Sequence, residues 1–160
     1  MSKIELIDIT SDNWINICCL NPGKEGKEFV ASNSFSLAQS FYEKGWITKG
    51  IIKDSQMIGF TMFGYSEEMK AYELCRFMID QKFQGLGYGK EALRAILKFM
   101  FNCFHCTEIF LSTAPNNNRG KHIYENVGFV STGESCGEGD DVEDIYCLNA
   151  IQYELSGIDR

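Results

Sequence analysis

The sequence predicts an α+β (mixed α/β) fold: one central mixed, mostly antiparallel sheet flanked by helices. Three observations predict it. Apolar strand-like runs follow one another early in the chain with only turns between them, as antiparallel neighbours do. Later the order becomes strand, helix, strand, the pattern of a crossover. Between these regions lies a long helical stripe, Leu93, Ile96, Leu97 and Met100, whose apolar face can cover a sheet.

The elements follow in order. Ile4–Ile9 alternates and reads as a strand. Ser11-Asp12 can cap a helix through Trp14, Ile17 and Cys18, which Asn21-Pro22-Gly23 stops. Lys24–Lys27 reads as a charged loop, and a second helix over Ser36–Lys44 ends at Gly45 as a C-cap would. Ile47–Lys53 and Met57–Tyr65 are strands joined by a turn at Asp54-Ser55. Tyr72–Ile79 is mostly apolar, as a buried central strand would be. The long helix covers Gly87–Phe101, and Ile109–Ser112 is a short strand. Arg119–Asn126 is a helix ended by Gly128, and Phe129–Thr132 and Ile145–Tyr153 are strands around an acidic loop.

A chain of 160 residues suits one domain, 1–160, and shows no repeat, low-complexity tract or linker. Its net charge of −7 argues against nucleic acid as a partner, because phosphate backbones need a basic face. The charge fits a cationic partner, and it fits solubility alone equally well. Seven cysteines, an odd number, sit mostly in apolar runs. The N-terminal Met-Ser-Lys-Ile-Glu-Leu-Ile-Asp has no apolar export region, and no stretch reaches the ~18 apolar residues of a membrane span. The expectation is a reducing cytoplasm and no membrane association. Cys103 and Cys106 have CxxC spacing around His105, yet no second ligand pair follows. Thiols at a helix end are the better reading, and no metal is expected.

The most informative segment is Asp80-Gln81-Lys82-Phe83-Gln84-Gly85-Leu86-Gly87-Tyr88-Gly89-Lys90, which joins the buried strand to the amphipathic helix. Glycines at alternate positions let the backbone turn tightly and approach a ligand. The helix lacks a Ser, Thr, Asp or Asn near Gly87 and carries Lys90 in its first turn, where the helix dipole disfavours a cation. An external anion held by free backbone N–H groups would explain both. The plain alternative is a tight connection with no ligand. The P-loop pattern fails because Gln84 stands at its first glycine and Glu91 follows Lys90. The dinucleotide pattern fails because the third glycine comes one residue early.

These residues resemble a family. Gln84-x-x-Gly87-x-Gly89, preceded by Phe77-Met78-Ile79-Asp80, looks like the acetyl-CoA pyrophosphate loop of the GNAT superfamily of N-acetyltransferases. Asn117, followed seven residues later by Tyr124-Glu125-Asn126-Val127-Gly128-Phe129, looks like that family's second signature, and the two stand in the correct order. Lys27–Ala38 together with Arg76–Asp80 is similar to bacterial spermine/spermidine acetyltransferases.

The resemblance implies a splayed central strand and acetyl-CoA as co-substrate. Gln84, Gly85, Leu86, Gly87, Tyr88 and Gly89 would present amides to the diphosphate, with Asn117 as a further co-substrate contact. Lys90 would add charge, or be an ordinary solvated lysine. Main chain at Phe77, Met78 and Ile79 would pair with the pantetheine arm, and one N–H there could polarise the acetyl carbonyl; their side chains would pack in the core. Tyr124 matches the family's general acid, which returns a proton to the CoA sulfur; the alternative is an aromatic that packs helix on sheet.

An alkyl ammonium has a pKa of roughly 10.4, so a proton must be removed before attack. Glu73 is the candidate base, directly or through water; an exposed strand glutamate, or water alone, is the alternative. Glu28 and Glu73 are the candidate substrate contacts. The acidic run Glu134, Glu138, Asp140, Asp141, Glu143 and Asp144, with Glu28, could attract a polycation or be a solvated loop. The expected activity is acetyl transfer to a primary amine of a small molecule, a polyamine such as spermidine or spermine leading. Acetylation of protein N-termini or lysines, and a non-catalytic acyl-CoA sensor, are the alternatives. The resemblance also raises a homodimer.

Overall fold

The structure, a computed structural model, describes residues 3–155. Residues 1, 2 and 156–160, which belong to the expected domain span and, at the N-terminus, to the stretch read for an export signal, lie outside the described residues.

Four strands run as an antiparallel meander: β1 (Glu5–Asp8), β2 (Trp46–Lys53), β3 (Gln56–Ser66) and β4 (Ala71–Ile79). β5 (Glu108–Thr113) lies parallel to β4, and β7 (Glu143–Asn149) stands between β5 and β6 (Val130–Cys136), antiparallel to both. The sheet order is β1-β2-β3-β4-β5-β7-β6. The mixed, mostly antiparallel sheet is therefore present, with its parallel junction in the middle. The turn between β2 and β3 holds Asp54 and Ser55 at φ 51° and 65°, the left-handed pair that matches strand twist in a two-residue hairpin.

Helices cover both faces. α4 (Tyr88–Phe104) buries Ala92, Leu93, Ile96, Leu97 and Met100 against Phe63, Leu74, Ile109, Leu111 and Leu148. On the opposite face Ile17 of α1 (Trp14–Cys19) meets Phe60, Met62 and Met78, with Leu37 of α3 (Asn33–Tyr42) at the edge. No helix among the described residues is long and apolar enough to cross a membrane.

Several boundaries differ from expectation. α1 is not capped by Ser11 or Asp12: its N-cap is Asn13, whose side chain accepts from Thr10 N at 2.8 Å and donates to Asp8 O at 2.9 Å. The charged Lys24–Lys27 segment includes a helical turn, α2 (Gly23–Gly26). α3 begins at Asn33 instead of Ser36, because Ser32 Oγ caps it by accepting from Phe35 N. It ends at Tyr42, so Gly45, at φ +100°, belongs to the turn before β2 and not to the cap. α4 runs one turn beyond Phe101, because Phe104 stacks on Tyr72 at 4.6 Å. β6 reaches Cys136 and so takes in the start of the acidic loop. The expected strand to Tyr153 ends at Asn149, whose Oδ1 accepts from Ile151 N and starts α6 (Ala150–Leu155).

Candidate active site

β4 and β5 share a single register pair, Glu73 with Phe110. Beyond that pair no ladder joins them. A cleft of about 1630 Å³ opens there, lined by Cys75–Ile79 on one side and Leu111, Ser112 and Thr113 on the other. This is the splayed central strand.

A bulge shapes its wall. Met62 pairs with Arg76 and Phe63 with Leu74, so Cys75 is an extra residue in β4. Side chains alternate along a strand, and one extra residue reverses the alternation. Leu74 accordingly packs in the core beneath α4, whereas Met78, of the same parity, packs on the α1 face.

At the end of β4, Asp80 fixes the start of the glycine loop. Its buried carboxylate accepts from Asn21 N at 2.8 Å and Lys82 N at 3.0 Å, capping a short turn over Gln81–Phe83. Gln84 then ties the loop down: Nε2 donates to Ile79 O at 2.8 Å and Pro22 O at 3.0 Å, and Oε1 accepts from Arg119 at 3.0 Å. Gly85 and Gly87 both have positive φ, 76° and 82°, and a Cβ on either would meet no protein atom within 4 Å. The backbone there faces open space. Gly87 is the N-cap of α4 and no side chain caps the helix. The first-turn N–H groups of Tyr88, Gly89 and Lys90 have no acceptor within the helix.

Across the cleft, α5 (Asn118–Asn126) is capped by Asn117, whose Oδ1 accepts from Gly120 N and whose Nδ2 donates to Thr113 Oγ1 at 2.9 Å. Tyr124 lines the cleft, its ring edge-on to Phe129 at 6.1 Å. Burial, helped by the Glu143 carboxylate, pushes its phenol up to about 12. Burial likewise pushes the Cys75 thiol in the same cleft up to about 12. Glu73 also lines the cleft; burial raises its carboxyl above the ordinary 4.5, against the lowering pull of the Ser66 hydroxyl and Arg76.

The sequence-predicted residues thus divide. Glu73, Phe77, Met78, Ile79, Gln84, Gly85, Gly87, Gly89, Lys90, Asn117 and Tyr124 share the cleft. Tyr88 is turned away from it, its ring under Lys53 Nζ at 4.8 Å, and Leu86 is exposed outside it. Glu28 is exposed on the turn after α2 and does not line it. Of the acidic run only Asp141 and Glu143 do; Asp144 pairs with Lys121 at 2.8 Å.

Other side chains were not foreseen. The end of the cleft at the start of β4 carries Glu73 with Glu67 and Glu68 of the β3–β4 turn and Glu43, with Lys44 and Arg76 among them, while Glu143, hydrogen-bonded to Ser112, lies further along β5. Glu43 Oε2 accepts from Trp46 Nε1 at 2.9 Å and from Gln39 Nε2 at 3.0 Å, and these bonds hold that carboxyl below its usual range. The glycine-loop end has Lys24, Lys90 and Arg119, with Glu25 as its acid. The cleft is therefore polarised, cationic where an anion could lie on the α4 amides and anionic at the opposite end. No group of three or more His, Cys, Asp or Glu side chains among the described residues is arranged to hold a metal ion.

Comparison with known proteins agrees with this geometry. The chain is 28% identical over 138 residues to a spermine/spermidine N(1)-acetyltransferase of Bacillus subtilis (strain 168), covering 82% of this chain and 91% of that protein. Among solved structures, an aminoglycoside acetyltransferase AAC(6')-Ib in complex with coenzyme A superposes with TM-score 0.78 at 14% identity, covering 98% of this chain and 99% of the other. A spermidine N-acetyltransferase from Vibrio cholerae in complex with CoA and spermine gives TM-score 0.74 at 17% identity, covering 95% of this chain and 98% of the other. Residues 12–129 match the model of the Acetyltransferase (GNAT) family, and the chain, with its split sheet and glycine loop, belongs to that family.

Proposed function

We propose that this chain is a single acetyltransferase domain that moves an acetyl group from acetyl-CoA to a primary amine of a small polyamine such as spermidine or spermine. The observation that carries the reading is the polarised cleft: amides and cations at one end, carboxylates at the other, and a gap in the sheet between. The names of the similar B. subtilis and V. cholerae proteins support the same substrate class.

Acetyl-CoA supplies the activated acetyl group. The α4 amides from Gly87 onward, with Lys90 and Arg119 nearby, suit its diphosphate. Main chain along Phe77–Ile79, paired with β3 but with no ladder to β5, suits an extended arm and a polarised carbonyl. Gln84 and Asn117 act by holding the loop and the α5 start in place, since their side-chain groups are engaged by protein. Glu73 takes the proton from the amine and Tyr124 holds the proton that the departing thiolate needs. The acidic end retains the remaining ammonium groups. We assign a reducing cytoplasm on the seven free thiols, and a homodimer, which light scattering checks.

Incubation with acetyl-CoA and spermidine should release CoA thiol, and added salt should raise KM for spermidine more than it lowers kcat. No release across an amine panel would sink this reading; release with peptides alone would move it to protein acetylation.

Gly87→Ala tests the loop. A left-handed Ala costs about 1 kcal/mol of stability, and its methyl enters the open space above the α4 amides. We expect CoA affinity, measured by calorimetry, to fall roughly tenfold or more, while Tm drops by only a few degrees.

A further inference from the structure

The bulge in β4 has brought an arginine to the wrong side for an ordinary strand. Glu73 and Arg76 differ in parity and would face opposite sides of a regular β4. The extra residue Cys75 reverses the alternation, so Glu73, before the bulge, and Arg76, after it, share the α3 face. There the guanidinium closes the bulge. Nη1 donates to Cys75 O at 3.0 Å and lies 2.9 Å from Cys75 Sγ, and Nη2 donates to Gln39 Oε1 of α3 at 3.3 Å. Gln39 in turn donates to Glu43, which Trp46 also holds. Arg76 Nε is buried with no hydrogen-bond partner among the described residues. A side chain serving stability alone gains nothing from an unpartnered donor, and an apolar residue of similar size would avoid it.

The groups acting on Glu73 from the elements around it are the Ser66 hydroxyl at the end of β3, Glu68 in the β3–β4 turn, Glu143 on β7, and Arg76. Arg76 is the cation of that set. On the reading that Glu73 is the base of an acetyltransferase, we propose that Arg76 is a positioning residue: it locks the Cys75 bulge to α3 and so holds its positive charge on the same face of β4 as Glu73, opposite the two neighbouring glutamates. It touches neither substrate nor the reacting atoms in this role.

The test compares Arg76→Met, Arg76→Lys and Gln39→Ala in the full chain. The first readout needs no activity: the carboxyl carbon of Glu73, assigned with Glu73→Gln, is followed against pH by NMR of glutamate-labelled protein. Arg76→Met should move its midpoint up by roughly one unit, and Arg76→Lys, which keeps the charge, by much less. The second readout is the acid limb of kcat/KM, which should move up with it in Arg76→Met. Arg76→Lys should lower kcat with the limb in place, because the fork to Cys75 O and Gln39 is gone. If Arg76→Met does not fold, Gln39→Ala, which frees the guanidinium, should still shift the midpoint measurably upward. An unchanged Glu73 midpoint in the folded variants overturns the proposal even if the enzyme is active. A shifted midpoint in a protein that acetylates no amine leaves the electrostatic role standing and removes the catalytic reading instead.

Discussion

Tyr124→Phe should lower kcat for amine acetylation by about 10²- to 10³-fold and leave CoA affinity within twofold. The reasoning starts from the hydroxyl's surroundings. It lines the cleft and has no hydrogen-bond partner among the described residues, so deletion leaves no protein group unsatisfied. The ring keeps its contact with Phe129, so Tm should hold. A phenol raised to about 12 stays protonated through neutral and mildly alkaline pH, and Tyr124 should produce no alkaline limb below that region. Such a weak acid looks poorly matched to a thiol near 8.5 in water. Burial in the cleft disfavours the anionic form of a departing thiolate as it does that of the phenol, which narrows the mismatch. Rapid-mixing measurement of thiol release, beside calorimetric CoA binding, checks this; a variant that turns over at the normal rate excludes Tyr124 as the acid.

Glu73→Gln should cost a similar 10²-fold or more in kcat/KM at neutral pH and abolish the acid limb expected of the wild type. The direction of that limb follows from burial. Glu73 ionises above its ordinary value of 4.5, so the basic form fills only as pH rises past the raised value. The same raised value has a stability consequence. A carboxyl whose folded pKa exceeds its unfolded one destabilises the fold once pH passes the unfolded value, and the full cost is present above the folded value. Glu73→Gln removes that charge and should leave Tm equal or higher at neutral pH. Loss of rate without loss of Tm separates a base from a structural residue. If rate survives while Tm changes, water alone suffices as the proton acceptor.

Much of this was legible in the chain. The apolar stripe from Leu93 to Met100 marked α4 because the same residues bury on the sheet. Gly85 and Gly87 marked the loop because positive φ leaves little choice of residue. The C-terminal error has a local cause: Ile145 to Tyr153 keeps enough apolar residues to look extended, and only the Asn149 side-chain bond to Ile151 N ends the strand. The acidic side of the cleft was only partly legible: Glu73 and Glu143 were named, but Glu43, Glu67 and Glu68 come from separate segments that only the fold brings to the same cleft. The side on which Arg76 lies was hidden too, since a period of two along β4 gives the opposite answer until pairing with β3 exposes the extra residue.

The single pairing between β4 and β5 makes that junction a seam in an otherwise continuous sheet. Strands β1 to β4 and strands β5 to β7 behave as two leaves, and a ligand lying along the seam is mortar between them. Saturation at a hundredfold excess over Kd adds about 2.7 kcal/mol to the resistance against unfolding. Backbone amides of Phe77–Ile79 should then exchange with solvent more slowly in the presence of the thioester than in its absence.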